Sequence, residues 1–152
     1  MRIVIAAVGR LRRGPEFDLF EAYRRRMQWS VAIREVEERR PLPPAERRRR
    51  EAELLRGAVP DGATVVALDE GGSQLDSRQF AQWIGAWRNK GLRDLAFVIG
   101  GADGLDAALR DGVEMKIAFG TMTWPHMLVR AMLMEQIYRA QQILAGHPYH
   151  KG

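Results

Sequence analysis

Apolar residues fall in short blocks along this chain, and the blocks are of two kinds. Residues 3–8, 63–68, 95–99 and 115–119 are nearly continuous apolar runs, the pattern of parallel strands covered on both faces. Residues 31–36 alternate apolar with polar, which predicts a strand nearer an edge with one wet face. Between the strands the spacing turns helical. Phe20, Tyr23 and Met27 share one stripe, and Phe80, Trp83, Ile84 and Trp87 repeat at i, i+3, i+4 and i+7. The second of these helices has a clear start, with Asp76 or Ser77 as cap and Gln79 placed to answer Asp76, and Gly91 follows its last turn. Pro41, Pro43 and Pro44 mark a loop before an Arg-rich helix, and Pro60, Asp61 and Gly62 a turn after it. The order reads βαβαβαβαβα and predicts a three-layer α/β/α domain on a mostly parallel sheet.

The last helix breaks the pattern. From 127 to 144 apolar residues appear on almost every side, including Met127, Leu128, Val129, Met132, Leu133, Ile137 and Leu144, whereas a surface helix carries a single stripe. Its second face is covered either inside the chain, as a central helix, or by a second copy in an isologous dimer.

With 152 residues, 46% of them hydrophobic, the chain fills one core and is expected to be a single domain over 1–152. The absence of cysteine excludes disulfides, thiolate metal sites and a cysteine nucleophile, and fits a reducing cytoplasm. The first apolar run is too short for a signal sequence or a membrane span, and no other stretch approaches that length. The net charge of +5 is unevenly spread: residues 1–60 hold 15 Arg against 9 acidic residues, and residues 61–152 hold 9 basic against 10 acidic. The basic groups at Arg10, Arg12 and Arg13, at 24–26, at 39–40 and at 47–50 suit a phosphate-rich partner. The run 47–50 also reads as a solvated helix face, being interleaved with Glu46, Glu51 and Glu53.

Two segments carry the candidate chemistry, Phe97-Val-Ile-Gly-Gly-Ala-Asp-Gly104 and Phe119-Gly-Thr-Met-Thr-Trp-Pro-His126. Each is an apolar run that ends in small or turn-forming residues, where backbone groups are free to bind a ligand. In an open α/β sheet such ligands lie beyond the carboxyl ends of the strands, where 68–72, 100–104 and 119–124 should converge. The glycines lack the spacing of a dinucleotide fingerprint, and the Gly-Lys-Ser/Thr of a Walker loop is absent.

Taken together, the strand followed by Ile-Gly-Gly-x-x-Gly-Leu, the strand followed by Met-Thr-Trp-Pro-His-x-x-x-Arg, the apolar helix and the terminal His-Pro-Tyr-His-Lys resemble the RlmH family of SPOUT methyltransferases. The resemblance runs from Ala6-Ala-Val-Gly-Arg-Leu11 to Tyr149-His150-Lys151. It implies a SPOUT-type homodimer with a C-terminal trefoil knot, acting on N3 of a pseudouridine in a stem-loop of bacterial 23S ribosomal RNA, within the ribosome or its large subunit. It also implies S-adenosylmethionine as methyl donor, S-adenosylhomocysteine as product and no metal. Carried over motif by motif, Leu68, Gly100, Phe119, Gly120, Thr121, Met122, Thr123 and Trp124 would hold the cofactor, Trp124 standing where relatives more often have Phe or Leu. Arg130, Tyr149 and His150 would act on the base, the terminal pair reaching the partner subunit's site, and Arg10, Arg12 and Arg13 would meet RNA. The alternatives are a SPOUT enzyme acting on transfer RNA and a non-catalytic α/β protein that binds the ribosome.

Overall fold

In the computed structural model, residues 1–151 are described, His150 and Lys151 by their backbone alone. The elements follow the expected alternation: β1 (Arg2–Val8), α1 (Pro15–Arg26), β2 (Ser30–Val36), α2 (Pro44–Ala58), β3 (Thr64–Ser73), α3 (Ser77–Asn89), β4 (Asp94–Ile99), α4 (Ala107–Asp111), β5 (Met115–Ile117) and α5 (His126–Leu144), then a 3₁₀ turn over Pro148–Lys151. All pairings are parallel, in the order β2-β1-β4-β3-β5. β4 lies at the centre with every residue buried, and the alternating β2 lies at one edge.

Local chemistry explains the helix boundaries. Pro15 and Pro44 open α1 and α2 in the first turn, where a missing N–H costs little. Glu16 and Asp18 at the start of α1 and Arg24, Arg25 and Arg26 at its end match the helix dipole. α3 begins with a reciprocal capping box: the Gln79 amide donates to Asp76 Oδ1 and the Asp76 amide to Gln79 Oε1, each at 2.8 Å.

The strands sort their side chains by the two-residue period of the pleat. Ile3, Ile5, Leu95, Phe97 and Ile99 face a core completed by Phe20 of α1, Phe80 and Ile84 of α3, and Leu133, Met134 and Ile137 of α5. The smaller Ala6, Ala67 and Val98 face Ala52 and Leu55 of α2 and Leu109 of α4. Three helices thus cover one face and two the other. α5 packs against both α1 and α3 and buries Leu133, Met134, Ile137, Tyr138 and Ala140. Its apolar girth is used inside the chain and does not by itself require a second copy.

β3 departs from expectation. The apolar run ends at Leu68, yet the strand continues to Ser73 after a register shift, with Ser73 paired to Ile117 and accepting a hydrogen bond from the Ala118 amide at 3.0 Å. Gly72 makes this crossing passable: a Cβ there would lie 2.6 Å from the backbone of Ile117 and 2.7 Å from that of Lys116. The contrast with Gly57, exposed on α2 with open space around it, gives a paired test. Gly57→Ala should stabilise the protein by about 0.5–1 kcal/mol through helix propensity. Gly72→Ala should cost about 1–3 kcal/mol or more, because backbone must move. Urea denaturation of the two variants checks both signs.

Candidate functional site

A cleft of about 600 Å³ lies beyond the carboxyl ends of β3, β4 and β5. Leu68, Asp69 and Glu70 line it from β3, residues 99–107 from the loop after β4, and Ile117, Ala118, Phe119, Gly120, Met122 and Trp124 from the segment after β5. His126 and Val129 at the start of α5 close one side, and Ala45, Arg48 and Arg49 of α2, with Arg110, border the rest. The two glycine-bearing loops therefore meet in one place. Of the eight residues expected at a cofactor, six line the cleft. Thr121 and Thr123 are exposed and do not line it.

The loops are held by their own chemistry. After β4 the chain closes a tight turn in which the Gly104 amide donates to Gly101 O at 3.0 Å, with Gly104 at φ +79°. Gly100 is required by that turn, since a Cβ there would stand 2.8 Å from the Gly104 carbonyl carbon. Its missing side chain, expected to make room for a ligand, first makes room for the chain itself. In the segment after β5, Gly120 takes φ +103° and Trp124 Nε1–H donates to Phe119 O at 3.0 Å, so the indole pins the loop it belongs to. Met122 remains 74% exposed at the lip.

His126 borders the cleft at the start of α5. Burial, and then the charge of Arg130, hold its imidazolium pKa below the usual histidine value. Its Nδ1 is buried and has no partner among the described residues.

Arg130, expected to touch the substrate, has no exposed surface and does not line the cleft. Its Nη1 donates to Glu35 Oε2 at 2.6 Å and its Nη2 to the carbonyls of Val8 and Gly9 at 3.1 Å each. Glu35 in turn accepts from the Leu11 amide. Arg130 thus ties the start of α5 to the ends of β1 and β2. Tyr149 also stands apart from the cleft. Its hydroxyl bonds with Tyr23 at 3.3 Å and Glu135 at 3.1 Å, and its ring packs edge-on against Tyr138, with Arg26 and Arg139 over its faces. Burial and these two hydrogen bonds push the phenol above its ordinary range. The side chain of His150 lies outside the described residues.

Arg10, Arg12 and Arg13 are exposed in the loop after β1, and Arg10 borders a second hollow with Gly9, Glu35 and Arg39 at the same carboxyl edge of the sheet. Asp69, Glu70 and Asp103 lie in the 68–72 and 100–104 loops expected at this edge, although no role was assigned to their carboxylates, and Asp106 lies just beyond the second loop. No group of three or more His, Cys, Asp or Glu suited to a metal ion occurs among the described residues.

Relatives extend over the whole length of the chain. A family model described as "Predicted SPOUT methyltransferase" matches residues 1–150. The ribosomal RNA large subunit methyltransferase H of Rhodospirillum centenum is 58% identical over 151 residues, covering 99% of each chain. The proteins of the same name from Paramagnetospirillum magneticum and Paracoccus denitrificans are each 53% identical, again over 99% of both chains. A parallel sheet with its cleft at the carboxyl edge and an unbroken match from end to end lead to one assignment: the chain belongs to the SPOUT methyltransferase family, in the group of ribosomal RNA large subunit methyltransferases H.

Proposed function

We propose that this protein transfers a methyl group from S-adenosylmethionine to N3 of a pseudouridine in a stem-loop of bacterial large-subunit ribosomal RNA, as a single-domain, knotted homodimer in the cytoplasm. The observation that carries the reading is the cleft after β3, β4 and β5, in a chain 58% identical to a ribosomal RNA large subunit methyltransferase H. No helix among the described residues is long and apolar enough to cross a membrane.

The cleft suits this cofactor. Its volume falls in the range of small-molecule sites, and the apolar Leu68, Phe119, Met122 and Trp124 suit an adenine ring and a thioether chain. Asp69, Glu70, Asp103 and Asp106 offer negative charge to a ligand that carries a sulfonium and an ammonium group. Leu68, Gly100, Phe119, Gly120, Met122 and Trp124 would line the bound molecule, while Thr121 and Thr123 would act through the loop backbone. When bound, S-adenosylmethionine supplies a methyl group on a positively charged sulfur that leaves readily as a neutral thioether.

The protein's own task is to align the base and take up the N3 proton. His126 is placed for that second task because it borders the cleft and because burial holds its imidazolium pKa below the usual histidine value. Arg130 acts through its neighbours, fixing the β1 end and the start of α5 and favouring the neutral form of His126. The place of Tyr149 within its own chain, away from the cleft, supports a role for the terminal residues Tyr149 and His150 in the partner subunit's site, and so supports the homodimer. The close crossing of β3 over β5 at Gly72 is consistent with a threaded C-terminal region.

Ribosomal RNA from a deletion strain should lack one methyl group at one pseudouridine, restored by this protein. Mass spectrometry that found the loss in transfer RNA, or found no loss, would defeat the assignment. His126→Ala should lower the single-turnover rate by roughly 10²-fold or more with the fold intact by circular dichroism. In the wild type, activity should stay level as pH falls through neutrality and drop only at a pH below the range in which an ordinary histidine takes up its proton. The variant should lack that acid limb. Mixing inactive Tyr149→Phe subunits with inactive Gly120→Val subunits should recover activity that neither homodimer has, because one hybrid cleft keeps both an intact loop and an intact partner tail.

A further inference from the structure

We propose that Arg48 and Arg49 of α2 form a phosphate-binding rim of the cleft, which grips the RNA backbone beside the target nucleotide. This inference rests on the RNA reading above and adds where the chain is held. The run Arg47 to Arg50 divides in two. Arg47 Nη1 lies 3.7 Å from Asp103 Oδ2, and Arg50 pairs with Glu53 at 2.7 Å and Glu38 at 3.3 Å. Arg48 and Arg49 make no ion pair and no hydrogen bond among the described residues. Both line the cleft together with Ala45, at i, i+3 and i+4 on one face of the helix.

The carboxylates around α2 thus serve its flanking arginines and leave the cleft-facing pair open. Buried Glu51 feels the charges of Arg47 and Arg48 from a distance, but its Oε1 has no hydrogen-bond partner among the described residues and it forms no ion pair with Arg48. Both guanidinium groups border the same cleft without a carboxylate partner among the described residues, and their forked donors fit phosphate oxygens. Elsewhere the cleft is lined by carboxylates, including Asp69, Glu70 and Asp106, which would repel an RNA backbone. Of the three arginines that line the cleft, Arg110 lies 3.7 Å from Asp111, which leaves Arg48 and Arg49 as the pair open to a phosphate. The exposed Arg10, Arg12 and Arg13 stand on the same edge of the sheet, so phosphates held at both places would run across it.

One anion other than RNA could meet this pair, the carboxylate of S-adenosylmethionine, and the test separates the two. The double variant Arg48→Ala/Arg49→Ala is compared with wild type for binding to large ribosomal subunits that lack the methyl group, over a range of salt, and for binding S-adenosylmethionine by calorimetry. Loss of two phosphate contacts should lower the logarithmic salt slope by about 1.4–1.8 and weaken RNA binding about tenfold near physiological salt, with cofactor affinity unchanged. The triple variant Arg10→Ala/Arg12→Ala/Arg13→Ala gives the effect of the other cluster on the same assay. An unchanged salt slope in the α2 variant, while the triple variant loses slope, would overturn the rim and leave the RNA reading intact. Weakened cofactor binding with undiminished RNA binding would overturn it in favour of the cofactor carboxylate. Wild-type protein that bound no RNA would overturn the RNA reading, and the rim with it.

Discussion

The buried guanidinium of Arg130 is the constraint on which the rest of the site depends. An unpaired ion at zero exposure would cost several kcal/mol. Here the cost is offset by Glu35 at 2.6 Å and by the carbonyls of Val8 and Gly9, although Nε has no partner among the described residues. Those three acceptors are the ends of β1 and β2, and the donor belongs to the first turns of the central helix. One side chain therefore sets how α5 meets the carboxyl edge of the sheet. His126 and the pinned loop before it inherit their positions from that contact. A hydrophobic residue could fill the volume, but it would leave two strand-end carbonyls unmet and would not specify the angle at which α5 arrives.

Much of this architecture was legible in the residues. Continuous apolar runs gave the buried parallel strands, and the alternation in β2 gave the edge. Asp76 and Gln79 gave the start of α3 because capping is local chemistry and needs no tertiary context. The convergence of the strand-end loops followed from the rule that parallel strands present their carboxyl ends to ligands. What was not legible depends on contacts between distant segments. The extension of β3 through Gly71 and Gly72 resembles a turn in sequence and becomes strand only because β5 lies beside it. The girth of α5 fitted either a dimer or a central helix, and only the flanking α1 and α3 decide how much is covered within the chain.

The charged residues mislead for the same reason. Arg130 was carried over from the family motif as a group acting on the base, and its burial could not be seen without the β1 carbonyls it serves. Conversely, Arg47 to Arg50 read as one basic stripe, while neighbouring carboxylates divide it into two paired and two open groups. Counting charge along the sequence located the basic half of the chain. Which charges remain available is a property of partners, and most of the partners are distant in sequence.

The glycines of the cleft lead to a similar revision of how the ligand is recognised. Gly100 and Gly72 are demanded by backbone packed against backbone, at 2.8 Å and 2.6 Å from a hypothetical Cβ, and not by the space a ligand would fill. The loops are consequently closed on themselves, through Gly104 N–H to Gly101 O on one side and Trp124 Nε1–H to Phe119 O on the other. A site built this way loses little conformational entropy when a ligand enters, since its backbone donors and acceptors are already fixed. It also leaves few side chains free for chemistry. His126 alone borders the cleft with a lowered imidazolium pKa, while Arg130 is committed to the strand ends. Side chains able to act on a base from within one chain are therefore few, and the proposed tail from a second copy would add to them.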